Sequence, residues 1–312
     1  MLKRLLPLRA VLVTGKGGVG KTTVAASLAR YAAQAGKRVL VAEIGTEDTT
    51  SSALADVLGL PALAGEPIEV APNLHAVALQ PSLGHQRFLR DVLPMKFLAD
   101  AAMKTGAIRR FLSAAPTFPE MGVLYRLLDL VRMTRRDGSF EHELIIVDLP
   151  ATGHALALAQ IPASLLRIIP TGPIATAVRE GLDLLEDVKR TGALIVTLPE
   201  TLPVSEAIEL ARGIRENGIP LAHVVVNRVP FDPFDAKEAA LVRELVSQPL
   251  PAPVLGARTL ERIDRAKTAL ERLRAIDVPM TTLQDVWFEG PRLSEQVASL
   301  MMLEPSHLER VP

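Results

Sequence analysis

The sequence predicts an α/β fold: a doubly wound, mostly parallel sheet flanked by helices, with a helical subdomain inserted after the third strand. Three observations predict it. Apolar, β-branched runs recur along the 312 residues, each followed by a turn or cap signal. Helical patterns that close on glycine fill the intervals between them. One long interval, residues 81–142, breaks that alternation. Runs that are apolar on both faces suit strands covered by helices on both sides, and strand–helix–strand alternation implies parallel pairing.

In chain order the strands are "AVLVT" (10–14), "RVLVAEI" (38–44), "LHAVAL" (74–79), "ELIIVDLP" (143–150), "ALIVTLP" (193–199) and "AHVVVNRV" (222–229). After the first strand, "KTTVAASLARYAAQAG" reads as a helix stopped by Gly36, and "VSEAIELARGIRENG" as one stopped by Gly218; glycine is the usual residue just past a helix end. Inside the interruption, "HQRFLRDVLPMKFLADAAMKTGAIRRFL" and "PEMGVLYRLLDLVRMTRR" read as amphipathic helices broken at Pro94, Gly106 and Pro116–Pro119. Residues 81–136 carry ten basic and four acidic side chains, a net charge of about +6, and four of the eight methionines, Met95, Met103, Met121 and Met133. Such a segment is either a solvated basic face over a core or a surface for an apolar or acidic partner, since methionine-bearing grooves adapt to varied ligands. Past residue 256, "ARTLERIDRAKTALERLRA" alternates in charge like a solvated helix face.

Composition sets the bounds. Hydrophobic residues make up 48% and charged residues 22%, ordinary for a globular protein. With 35 basic and 35 acidic residues the formal charge is zero, so no direct nucleic-acid partner is expected. Cysteine is absent, which excludes disulfides and thiolate metal sites. The opening "MLKRLLPLRAVLV" is interrupted by Arg9 and reads as leader residues entering the first strand rather than a signal peptide. No apolar run is long enough to span a bilayer, and a cytoplasmic location is expected.

The chemistry concentrates in two places. Gly15-Lys16-Gly17-Gly18-Val19-Gly20-Lys21-Thr22 fits G-x-x-x-x-G-K-[ST] between a strand and a helix. Glycines there let successive N–H groups turn inward around a polyphosphate, and the helix N-terminus adds partial positive charge. Lys21 would hold the β- and γ-phosphates of ATP, or the β-phosphate of ADP, Thr22 would ligate Mg²⁺, and Thr23 would reach the α-phosphate. The second place is "LIIVDLP", a hydrophobic strand ending in Asp148, which would bind Mg²⁺ through a water.

The loop "GKGGVGKTT" resembles the deviant Walker A loop of the ATPase superclass that includes ParA, MinD, nitrogenase iron protein and the arsenite-pump ATPases. "DLPATGHALAL" (148–158) resembles the switch II segment of the arsenite-pump and tail-anchored-protein-targeting ATPases, with Asp148, Pro150, Thr152, Gly153 and His154 in its pattern. "VTLPETLPVSEAIELARGIRENGIPLAHVVVNRV" (196–229) resembles that branch's "PE…E" strand–helix–strand unit, ending at Asn227. The resemblance implies a P-loop ATPase domain over residues 1–80 and 143–312 and an inserted client- or effector-binding subdomain over 81–142. It implies that Asn227 reads adenine, and that His154 serves a switch rather than acting as a general base. It further implies that Lys16 reaches across a nucleotide-sandwich dimer to phosphates held by the other subunit, neutralising transition-state charge. In an isolated motif, Lys16 would be read as a solvated loop lysine.

Two departures qualify the match. The family's switch I usually opens D-P-A, with an aspartate orienting the attacking water; here "RVLVAEI" runs into "GTEDTTSSALADVLG". Asp48 is the substitute, with Glu47 and Glu43 behind it. The lack of cysteine removes the thiolates of arsenite activation and the C-x-x-C zinc clasp of the tail-anchored branch. The expected function is a Mg²⁺-dependent ATPase, homodimeric or paired with a paralogue, that drives a helical segment against a protein client or membrane-associated partner. A weakly hydrolysing ATP-sensing binder is the alternative, and a ParA/MinD-like positioning ATPase a further one.

Overall fold

A computed structural model describes residues 2–45, 52–92, 118–150, 166–167, 171, 173–248, 253–286 and 288–302. Among these, eight strands form one sheet: β1 (Ala10–Thr14), β2 (Val39–Ile44), β3 (Ile68–Ala71), β4 (Leu74–Leu79), β5 (Leu144–Asp148), β6 (Thr191–Thr197), β7 (Leu221–Val229) and β8 (Met280–Gln284). Their order is β3-β4-β2-β5-β1-β6-β7-β8, and every neighbouring pair is parallel except β3–β4. The α/β sheet expected from the sequence is therefore present.

The six strands read from the sequence are the six interior ones. The two additional strands are the edges. β3 (IEVA) has no buried residue and β8 (MTTLQ) has one, Leu283. An edge strand has one neighbour and a solvated side, so it need not show the two-faced apolar run that marks a central parallel strand. β3 joins β4 through a tight turn at Pro72–Asn73, with Asn73 at φ 63. The helical interruption then follows β4, the third of the strands legible in the sequence.

The helices are α1 (Lys21–Gln34), α2 (Ala53–Leu58), α3 (Pro81–Val92), α4 (Phe118–Arg132), α5 (Pro173–Glu186), α6 (Thr201–Glu216), α7 (Ala236–Val246), α8 (Ala257–Leu273) and α9 (Gly290–Met302). They make a core on each face of the sheet. On one, Leu28 of α1, Leu54 of α2 and Val297 of α9 cover Val11, Val13 and Val41, joined by Leu2 and Leu5 ahead of β1. On the other, Leu127 and Leu130 of α4, Leu184 of α5, Leu210 of α6 and Leu273 of α8 cover Leu12, Ile145 and Ile195. Each fully buried aliphatic side chain contributes about 1.5–3 kcal/mol against exposure.

Two details fix the helical layer beside β4 and β5. Arg9, which interrupts the N-terminal apolar run, lies 3.7 Å over the Phe140 ring. Its guanidinium donates to the carbonyls of Val131 at 2.7 Å, His142 at 2.6 Å and Glu143 at 2.5 Å. Burial pulls its pKa down to about 10, so it remains charged at neutral pH and staples the exit of α4 to the start of β5. Helices α3 and α4 meet through glycine: a Cβ on Gly84 would overlap the carbonyl oxygen of Gly122, and one on Gly122 would overlap that of Pro81.

That crossing gives a signed expectation. In an isolated helix Gly→Ala gains up to about 1 kcal/mol; at a backbone contact the added methyl overpacks and costs about 1–3 kcal/mol. Gly84→Ala should lower the urea midpoint of unfolding, and an unchanged or higher midpoint would show that the two backbones do not touch there.

Candidate nucleotide site

The C-terminal ends of β1, β2, β5, β6 and β7 converge on the loop between β1 and α1, the place where open parallel sheets hold ligands. The loop is pinned from two sides. Gly15, at φ 150, passes so close to β6 that any Cβ would overlap the carbonyl oxygen of Val196. Gly20, at φ 88, lies against the amide of Asn227 at the end of β7, where a Cβ would strike Nδ2. Between them Val19 is buried in the core, and its carbonyl accepts from Asn227 Nδ2 at 3.0 Å. Gly17 and Gly18 face open space: a Cβ at either would meet no atom within 4 Å. The loop thus presents its open side at the start of α1, whose N-cap Gly20 supplies no side-chain cap. Uncapped N–H groups with the helix dipole behind them are suited to an anion.

Around this opening the structure brings together three of the charged and hydroxyl side chains expected there, Thr22, Asp148 and Lys21. Thr22 Oγ1 donates to Asp148 Oδ2 at 2.6 Å. Lys21 Nζ donates to the carbonyl of Lys16 at 3.0 Å, folded back over the loop. Burial pulls the Lys21 pKa down, and Asp148 opposes that shift. Lys16 leaves the loop to pair with Glu206 on α6, Nζ to Oε1 at 2.5 Å. Thr23 opens the first turn of α1, where its carbonyl accepts from Ser27 Oγ at 2.7 Å.

Asp148 carries the strongest electrostatic perturbation at this end of the sheet. It is 8% exposed, and its Oδ1 has no hydrogen-bond partner. Desolvation pushes its pKa up to about 6, against the hydrogen bond from Thr22 and the charge of Lys21; Glu43, its register partner on β2, pushes the same way as burial. Glu43 itself accepts from the backbone N–H of Leu54 at 3.2 Å, which commits it to the start of α2. A buried carboxylate oxygen without a hydrogen-bond donor, next to a hydroxyl that can turn its oxygen outward, has the chemistry to hold a hydrated hard cation, and the Lys21 ammonium beside it suits an anion. Among the described residues no group of three or more His, Asp or Glu side chains could hold a metal.

Pro150 follows β5, half-buried, at the edge of this cluster. Thr152, Gly153, His154 and Asp48, with Glu47, lie outside the described residues. Beside Asn227, a cavity of about 510 Å³ opens at the ends of β6, β7 and β8, lined by Glu200, Arg228, Arg258, Arg262 and Asp285 among others. Arg228 stands at φ 55, a left-handed conformation that a bulky residue adopts only under constraint. Glu206 and Arg228 are the residues that the sequence reading passed over. The "PE…E" pattern already contained Glu206, but only the helix phase of α6 turns it toward Lys16.

The raised Asp148 pKa predicts a pH-dependent stability. Below about pH 3 the carboxyl is neutral in both folded and unfolded chains and costs nothing. As pH rises from about 3 to about 6 the unfolded chain ionises first, and the fold loses stability until Asp148 also ionises. Removing the charge with Asp148→Asn, which still accepts from Thr22, should stabilise the nucleotide-free protein by about 2–3 kcal/mol at pH 7 and by almost nothing at about pH 3. Urea unfolding at the two pH values measures it; an equal gain at both would mean the effect is packing rather than charge.

Comparison with known proteins places this arrangement. A family model described as the anion-transporting ATPase matches residues 8–171. ATPase BagA of Mycobacterium tuberculosis is 27% identical over 245 residues, covering 76% of this chain and 71% of that protein. The arsenical pump-driving ATPase of Escherichia coli is 29% identical over 237 residues, 69% of this chain but 38% of the pump ATPase. ATPase ASNA1 homolog 2 of Paramecium tetraurelia is 29% identical over 157 residues, half of this chain and 44% of that protein. The family match begins just ahead of β1, runs through the glycine loop and Asp148 into the segment beyond, and takes in more than half of the sequence; the chain belongs to the anion-transporting ATPase family.

Proposed function

We propose that the chain is a Mg²⁺-dependent ATPase that hydrolyses ATP within a nucleotide-sandwich dimer and uses the cycle to open and close the helical segment 81–142 on a partner. The observation that carries this reading is the Thr22–Asp148–Lys21 cluster in front of an uncapped helix. Lys21 and Thr22 each make a contact that can be exchanged for a phosphate or a cation, and Asp148 Oδ1 has no partner to give up.

The exchange is specific. Loop amides from Gly17 to Thr23 would receive the phosphate oxygens. Lys21 Nζ would leave the carbonyl of Lys16 for the β- and γ-phosphates. Thr22 would turn its hydroxyl oxygen to Mg²⁺, and Asp148, ionised, would hold one of the ion's waters. When bound, Mg²⁺ supplies charge neutralisation on the β- and γ-oxygens. The amide of Asn227 is tied to the loop through Nδ2, which leaves Oδ1 to accept from the adenine edge, and the ribose side would enter the cavity by Arg228. Glu43 is held by the start of α2, and of the remaining switch I acids, Asp48 with Glu47 behind it, Asp48 would orient the attacking water. Lys16, released from Glu206, would reach the partner subunit's phosphates and stabilise the charge of the departing phosphoryl group.

The dimer is homotypic or formed with a paralogue, its site takes nucleotide rather than nucleic acid, and its setting is the cytoplasm. No helix among the described residues is long and apolar enough to cross a membrane. The switch I sequence lacks D-P-A, which favours a second reading, an ATP-sensing protein that turns over slowly.

Phosphate release measured across a range of protein concentrations separates the two. For the ATPase, specific activity rises with concentration, and Lys16→Ala lowers kcat by about 10³-fold, the scale of a charge finger supplied in trans, with nucleotide affinity kept. Turnover that ignores both concentration and Lys16 would sink the dimeric mechanism. Tight ATP binding without measurable turnover would select the sensor.

A further inference from the structure

Strand β7 is irregular where it reaches the nucleotide end of the sheet. Val226 pairs with Thr282 and Val229 with Gln284, so three steps along β7 match two along β8. The extra residue falls at Asn227–Arg228. Bulges are rare in parallel pairs, and beside functional sites they re-aim a side chain. Arg228 takes up the irregularity at φ 55. The other non-glycine residues with positive φ among those described are Asn73 and Asp277, short polar side chains that enter this region readily; arginine does so far less. The two neighbours end up on separate duties. Asn227 is buried against the glycine loop with Nδ2 on the Val19 carbonyl, and Arg228 is exposed and lines the cavity alongside.

That cavity, about 510 Å³, has the size of a small-ligand pocket. Leu198, Pro199, Pro230 and Ala266 give it an apolar wall. Of the other arginines that line it, Arg262 is paired with Asp285 at 3.0 Å and Arg265 with Glu261, while Arg258 stands exposed in the first turn of α8. Arg228 has no ion-pair partner among the described residues. A guanidinium is planar and weakly hydrated for its charge, and it packs flat against aromatic rings. Proline and aliphatic side chains facing an uncommitted guanidinium suit a flat aromatic ring. An anion alone would leave the apolar wall unused.

We propose that Arg228 is a binding residue for the nucleoside, its guanidinium lying over the face of the purine whose edge meets Asn227 Oδ1. The inference rests on the nucleotide reading above and adds to it a contact that touches no phosphate. The bulge then has a consequence. Regular alternation would send two successive residues of a strand to opposite faces of the sheet; here they meet one ring, Asn227 at its edge and Arg228 on its face. The strained backbone at Arg228 is of the kind that persists where a ligand contact depends on it.

The full chain with Mg²⁺ is titrated with three probes: a slowly hydrolysed ATP analogue, ribose 5-triphosphate, which lacks the base, and tripolyphosphate, which lacks the nucleoside. Arg228→Gly should weaken binding of the analogue by about tenfold, the scale of a guanidinium over a ring, and leave the other two affinities unchanged. It should melt no lower than wild type, because glycine adopts φ 55 without strain, and its unchanged tripolyphosphate affinity reports an intact loop. Arg228→Lys, which keeps the charge and loses the plane, should lose the same affinity for the analogue. Wild-type analogue affinity in Arg228→Gly overturns the assignment. So does an equal loss for ribose 5-triphosphate, which places the arginine on sugar or phosphate, and so does full affinity in Arg228→Lys, which makes the contact one of charge. A wild-type protein that binds none of the three probes overturns the nucleotide reading itself. One that binds all three equally gives the base no role and overturns the Arg228 assignment alone.

Discussion

A carboxylate held at the C-terminal end of β5, with one oxygen bound by Thr22 and the other without a donor, sets the terms for the nucleotide end of the molecule. Burial opposes its ionisation; Lys21 and Thr22 favour it; Glu43 in the adjacent strand opposes it again. At neutral pH such a group costs stability, and what keeps it in place is the sheet. β5 is hydrogen-bonded between β1 and β2, and its apolar residues are fully covered on both sides. The large aliphatic cores offset a local electrostatic cost that a cation would remove. Stability forgone in the free protein would be recovered on binding a cation there.

The same strand ties the site to the helical layer. Arg9 clamps the carbonyls that lead from α4 into β5, and α4 buries Val123, Leu127 and Leu130 in the core that holds Ile145 and Val147. Packed interiors respond to displacement as bodies rather than as fluids. A shift of the Asp148 end of β5 therefore has a direct mechanical route to α4, and through the Gly84–Gly122 crossing to α3. That route is short because glycine allows the two backbones to touch, with no side-chain layer between them to absorb motion. In the proposed cycle a movement at Asp148 would reach α3 by this route.

How much of this was readable in advance follows from what each residue interacts with. The interior strands showed because both faces of each are buried, and β3 and β8 did not because edges tolerate threonine and glutamate. The glycine loop was legible because its function constrains successive positions, and Asp148 because an acid ending an apolar strand needs a reason. Glu206 was not, since a glutamate on a helix surface is the commonest of residues, and its meaning comes only from the phase that aims it at Lys16. The orientation of Asn227 was likewise hidden: no local pattern signals that Nδ2 is committed to the Val19 carbonyl. For Asp48 and His154, local sequence alone carries the assignment, because they fall outside the described residues.

The Lys16–Glu206 pair ties the glycine loop to α6. Its nitrogen and oxygen stand 2.5 Å apart, but the lysine side chain is half exposed. Exposed ion pairs are worth about 1 kcal/mol or less, because water and salt screen them and both side chains lose freedom. A γ-phosphate enclosed between two subunits offers the same ammonium several negative oxygens with less water around them, where each charge interaction is stronger. Glu206 can therefore hold Lys16 in order without holding it for long. If the pair were buried, Lys16 would be trapped in its own subunit; if it were absent, the side chain would have to be ordered at the moment of catalysis, at an entropic cost. A weak, well-placed partner on α6 gives a lysine that is held in one place yet replaceable.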